Sequence, residues 1–140
     1  MAENGFLNIL FWILPGYRSS YHEKKKEHTI STLVKRYDSA FAKQDYHTAR
    51  KQLAELKKVD RRYSKLPSMN RTLQNAIDDK VAQLFDAGVS AYSRGLFEQA
   101  AREWRNALKL EPNHQQAKEN LERAEKVLKN LERLKEKQGG

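Results

Sequence analysis

At 140 residues the chain is long enough to bury a core as one domain. Sparse glycine and proline, with Ala, Leu, Lys, Glu, Arg and Gln dominant after residue 28, exclude a strand-rich fold, and ordinary aliphatic and aromatic content excludes a disordered chain. The absence of cysteine removes disulfides, thiolate metal sites and a thiol nucleophile, while a net charge of +9 admits nucleic acid, anionic lipid or an acidic protein as partner.

Residues 1–20 differ in character from the rest. Phe6, Leu7, Ile9, Leu10, Phe11, Trp12, Ile13 and Leu14 form a dense apolar run, stopped by Pro15-Gly16. The run is too short to span a bilayer, which takes about 20 apolar residues. Its length suits the apolar core of a secretory signal, but the five residues before it carry no positive charge. Residues 13–20 resemble a bacterial lipoprotein cleavage site with Tyr17 where the lipid-bearing cysteine would stand, so no lipid attaches there. Three readings stay open: an altered export signal, a short helix dipping into a membrane interface, which Phe11 and Trp12 suit, or a segment packed on protein.

Residues 21–28 read as a polar connector, with Lys24-Lys25-Lys26 between two glutamates. From Thr29 a helical period runs through Ile30, Leu33, Val34, Tyr37 and Phe41, breaks near Gln44-Asp45, and resumes with Tyr46, Ala49, Leu53, Leu56 and Val59. That pattern predicts a helical hairpin over 29–67. Lys57, Lys58, Arg61, Arg62 and Lys65 are expected on one side of a helix, as a basic patch or simply a solvated face. Residues 63–68 read as a loop, with Ser68 as N-cap after Pro67. Leu73, Ile77, Val81, Leu84, Gly88 and Ala91 then continue one apolar stripe, which predicts a helix about twice the ordinary hairpin length. A turn at Gly95, a second helix to Leu110 and a stop at Pro112 complete a unit over 68–114. A last helix over 115–138 carries Ala117, Leu121, Ala124, Leu128 and Leu131 in steps of four and three. Its start should cap the preceding hairpin, and its far end offers a surface for self-association.

The stretch 81–114 resembles a tetratricopeptide (TPR) repeat. The family pattern stands here as Leu84-x2-Ala87-Gly88-x2-Ala91, then Ala100-x3-Trp104, then Pro112, with Ala87, Gly88, Ala91 and Ala100 where two helices approach closely. The hairpin over 29–67 overlays it as a degenerate copy: Leu33 falls on Leu84, Ala40 on Ala91, Phe41 on Tyr92, Ala49 on Ala100 and Leu53 on Trp104. The resemblance implies an all-α fold of TPR-like hairpins, a short α-solenoid with an extended first helix in the second hairpin and a C-terminal capping helix. It also implies a groove lined by first helices, which by register would hold Val34, Asp38, Phe41, Phe85, Val89, Tyr92 and Ser93. Lys and Asn, used by the carboxylate-clamping members, are replaced by Phe85 and Val89, so an apolar peptide or helix is the better fit.

No chemistry is legible beside this. The four histidines sit in expected connectors or helix starts, no HExxH or phosphate-cradling glycine loop is present, and Asp78-Asp79 is balanced by Lys80. The sequence therefore predicts a non-enzyme without cofactor or metal: an adaptor or assembly subunit that takes a protein partner. Association with a membrane or the bacterial cell envelope through residues 6–14 is expected, with a cytoplasmic location as the alternative. The alternative function is a basic surface at 57–65 that binds anionic lipid or nucleic acid. Nucleic acid is not the expected partner, because no recognised binding module accompanies the charge.

Overall fold

Leu, Ala, Lys, Glu and Gln lose little side-chain freedom in a helix, and helix is what this chain forms. The computed structural model describes residues 15–138, and these comprise five α-helices and no strand. They are α1 (Pro15–Ala42), α2 (Tyr46–Val59), α3 (Leu66–Ser93), α4 (Phe97–Leu110) and α5 (Gln115–Gln138). Two compact units divide the chain, the first ending at Asn70 and the second starting at Arg71, so the boundary falls within α3. The apolar run 6–14 and every reading placed on it lie outside the described residues.

The helices recur at one interval. α1 and α3 are both 28 residues long, and α2 and α4 are both 14. Tyr46, the first residue of α2, corresponds in sequence to Phe97 of α4, and Val59, the last, to Leu110, each 51 residues on. Two hydrogen bonds of the turn repeat: Gln44 N donates to Phe41 O and Asp45 N to Ala40 O, both at 2.9 Å. Fifty-one residues later Gly95 N donates to Tyr92 O at 3.0 Å and Leu96 N to Ala91 O at 2.9 Å. Both turns pass through left-handed backbone, with φ 57° at Gln44 and 76° at Gly95, a conformation that only glycine takes without steric cost.

Packing within each unit exchanges bulk between the helices. In the first, Leu33, Tyr37 and Ala40 of α1 and Ala49, Leu53 and Leu56 of α2 are buried. The Tyr37 hydroxyl donates to Met69 O at 3.1 Å, and burial pushes its pKa up. In the second, Ala91, Ala100, Ala101, Trp104, Ala117 and Ala124 form a buried cluster against which Phe85, Tyr92, Leu108, Leu121 and Leu128 pack. The Trp104 indole N–H donates to Phe85 O at 3.2 Å across α3 and α4. A Cβ at Gly88 would lie 2.6 Å from Cε2 and 2.7 Å from Cδ1 of that indole, so only glycine lets the ring reach the α3 backbone. Equivalent positions in the first unit hold Tyr37 on the long helix and Leu53 on the short one. The large ring has moved from one helix to the other.

Several expectations need correction. Residues 21–28 are not a connector but part of α1, which begins at Pro15. Proline is well placed at a helix start, where its missing N–H has no partner to lose, and the Lys-Glu run after it favours helix. The extended first helix is therefore a feature of both hairpins. Ser68 is not an N-cap: α3 already starts at Leu66, and the Ser68 hydroxyl donates back to Lys65 O at 2.9 Å. Ala87 is exposed, so the close seam is made by Gly88 and Ala91 against Ala100 and Trp104. The heptad seam of α5 is buried at Ala117 and Ala124, half-buried at Leu121 and Leu128, and 40 % and 52 % exposed at Leu131 and Leu134.

Candidate functional site

A recess with a largely apolar lining lies within the second unit. Val89, Tyr92 and Ser93 from the end of α3, Trp104 from α4, and Asn120 and Arg123 from α5 line a recess of about 200 Å³. Helical spacing puts Val89, Tyr92 and Ser93 on one face, and that face sits at the end of α3 that α4 and α5 embrace. Trp104 is 2 % exposed and forms part of the floor. The Tyr92 ring lies 5.8 Å from the Trp104 ring and meets Phe97 edge-on at 5.1 Å, so both aromatic walls are held from behind. Val89, by contrast, is 45 % exposed.

The polar rim is of a different kind. Among the described residues Arg123 makes no ion pair and Asn120 no side-chain hydrogen bond. Ser93 donates its hydroxyl to Ser90 O at 2.8 Å, which leaves the oxygen able to accept. A neighbouring clasp shows what a satisfied pair looks like here: Arg105 Nη2 of α4 meets Glu125 Oε1 of α5 at 2.8 Å.

Three of the seven residues expected in a groove are thus brought together. Phe85 is not among them; its ring stacks on His114 at 5.2 Å and belongs to the packed core. His114 stands at a helix start, as the sequence leads one to expect. Its Nδ1 accepts from Ala117 N at 3.2 Å and so caps α5 while its ring covers Phe85. Val34 and Phe41, half-buried, and Asp38, exposed, belong to the first unit, where Phe41 stacks on Tyr37 at 5.8 Å and meets Tyr46 edge-on at 6.1 Å. That aromatic pair repeats Tyr92–Phe97. Trp104, Asn120 and Arg123 carry the recess as much as α3 does, and the last two lie off the apolar seam by which α5 is legible in the sequence.

The basic residues do not share one helix side. Lys57 and Lys58 end α2, where cations suit the helix dipole, but Asp60 leaves helical geometry at φ −148° and ψ 98°. Its carboxylate accepts from Arg62 N at 3.0 Å, an Asx turn that puts Arg61, Arg62 and Lys65 in the loop before α3. Lys26 Nζ of α1 meets Asp60 Oδ2 at 3.1 Å, which ties α1 to that loop. Hydrogen bonding from Arg62 N, then Lys26, holds the Asp60 carboxyl below the usual carboxylate range.

Comparison with protein-family models, with curated proteins and with solved structures gave no match for this chain. Among the described residues no group of three His, Cys, Asp or Glu is placed to hold a metal ion, and no helix is long and apolar enough to cross a membrane.

Proposed function

We propose that the protein is a TPR-like interaction module, an adaptor or assembly subunit that captures a protein segment in the recess of its second unit. The observation that carries this reading is the recess itself: Val89, Tyr92 and Ser93, expected on a groove by register alone, line one cavity with Trp104. The recurrence of a 28-residue and a 14-residue helix at a fixed interval, with matching turns, supports a TPR-like origin with lengthened first helices. Residues 6–14 would hold the module at a membrane or in the cell envelope, since an apolar run with Phe11 and Trp12 suits an interface.

The test is recovery of bound proteins from the native host by the full chain and by Val89→Glu. Val89 is exposed, so the variant should keep its helical circular dichroism while losing its specific partner. An unchanged set of bound proteins would sink the groove reading.

A second reading has one observation in its favour. The Lys26–Asp60 pair ties α1 to the loop that carries Arg61, Arg62 and Lys65, and with Lys57 and Lys58 these would form a basic surface for anionic lipid or nucleic acid. Charge reversal at Arg61 and Arg62 separates the two, because it should abolish salt-sensitive binding and leave the recess untouched.

A further inference from the structure

The recess has both a size and a charge, and together they describe what enters it. Small-molecule sites usually enclose about 300–1,000 Å³, so about 200 Å³ falls short of a metabolite or cofactor pocket. An apolar cavity of about 150 Å³ already admits benzene. The space therefore suits a single phenylalanine- or leucine-sized side chain, set against Tyr92, Trp104 and Val89. Such an anchor in a pocket is how a peptide segment gains most of its binding energy.

Beside that floor stands the Arg123 guanidinium. Among the described residues Arg123, exposed at the recess, makes no ion pair. A guanidinium held at the mouth of an apolar recess binds a carboxylate through two parallel hydrogen bonds, more strongly than it binds a neutral acceptor. The free Asn120 amide on the same helix, one turn earlier, supplies both a donor and an acceptor for the backbone or side chain that follows.

We infer that the recess recognises a short peptide segment with one large apolar side chain and an Asp or Glu side chain beside it. The apolar group fills the space between Tyr92, Trp104 and Val89, and the carboxylate pairs with Arg123. This rests on the groove reading above and narrows it to an acidic amphipathic partner segment. An overall charge of +9 draws such a segment in.

The probe is a displayed library of random dodecapeptides with blocked ends, selected on the full chain and, in parallel, on Arg123→Glu and Val89→Glu. Selection on the native chain is expected to enrich Phe, Leu, Ile, Met or Trp with Asp or Glu within four residues. Arg123→Glu should weaken an enriched peptide by about tenfold to a hundredfold, as should Asp→Asn or Glu→Gln in the peptide. Enrichment of an apolar residue with no acidic neighbour, and equal binding by Arg123→Glu, would overturn the carboxylate assignment and leave the groove standing. No enrichment, or peptides that bind Val89→Glu as well as the native chain, would overturn both.

Discussion

The Trp104 indole lies directly on the backbone of Gly88, close enough that a Cβ there would stand 2.6 Å from its Cε2 atom. The contact sets the distance between α3 and α4, and it positions the floor of the recess. Gly88→Ala should therefore destabilise the second unit. Overpacking of this kind costs about 1–3 kcal/mol, which outweighs the gain of about 1 kcal/mol from alanine's better helix propensity. Combining Gly88→Ala with Trp104→Leu, which restores the kind of short-helix residue found at Leu53, should cost less than the two single changes added together. Thermal and urea unfolding of the three variants measures this, and strict additivity would show that the two residues are not coupled.

Legibility in the sequence followed this same contact. Gly88, Ala91, Ala100 and Trp104 have an unusual pattern of sizes, and the hairpin they form was readable. Tyr37 and Leu53 fill the same positions with the sizes reversed, which hid how closely the first hairpin copies the second. Residues 21–28 misread because nothing apolar marks them. They are exposed helix, stabilised by propensity rather than by burial, and periodicity cannot detect that. Arg123 and Asn120 sit off the heptad seam of α5, so their place at the recess emerges only once α3, α4 and α5 are packed. The basic stretch misread for a local reason, since the Asp60 Asx turn breaks the helix between Lys58 and Arg61.

The two glycines of the second hairpin act differently. Nothing lies within 4 Å of a Cβ at Gly95, so Gly95→Ala is opposed only by its φ of 76°. The expected loss is about 1 kcal/mol, the cost of placing an L-residue in left-handed backbone. Gln44 already bears that cost at φ 57°, and Gln44→Gly should be neutral to stabilising by up to about 1 kcal/mol. Opposite signs for the two substitutions in chemical unfolding are the result to look for.

The start of α2 is capped and the start of α4 is not. Asp45 accepts from Thr48 N at 3.0 Å, and its hydrogen bonds with Thr48 hold its carboxyl below the usual carboxylate range. Leu96 takes the equivalent place with no side-chain cap. Leu96→Asp should then stabilise by about 1 kcal/mol through a bond to the Gln99 backbone N–H.

The same cap sets a pH dependence. A carboxyl with a depressed pKa in the folded state contributes stability above its unfolded pKa of about 4, and loses it as pH falls through the folded value. Tm should therefore drop below pH 4, and Asp45→Asn, which caps without titrating, should flatten part of that drop. Asp60 titrates in the same sense and adds to the drop.

The far end of α5 should be energetically silent in the isolated chain. Leu131→Glu and Leu134→Glu remove residues that are already exposed and should shift stability by no more than about 0.5 kcal/mol. Leu121→Ala, in the packed part, should cost about 2 kcal/mol or more. Sedimentation of the native chain against the double glutamate variant tests whether the exposed end self-associates; a concentration-dependent mass lost in the variant is the sign of it.

The claim that the recess is where a partner docks can be read at one atom. Trp104 Nε1–H gives an indole resonance from the recess floor, reported in situ by 15N-labelled protein. Titration with a peptide enriched on the native chain should move that resonance with the same midpoint as binding measured by fluorescence. The shift should disappear in Val89→Glu. A peptide that binds while the Trp104 resonance stays still would place the docking surface elsewhere and contradict the account.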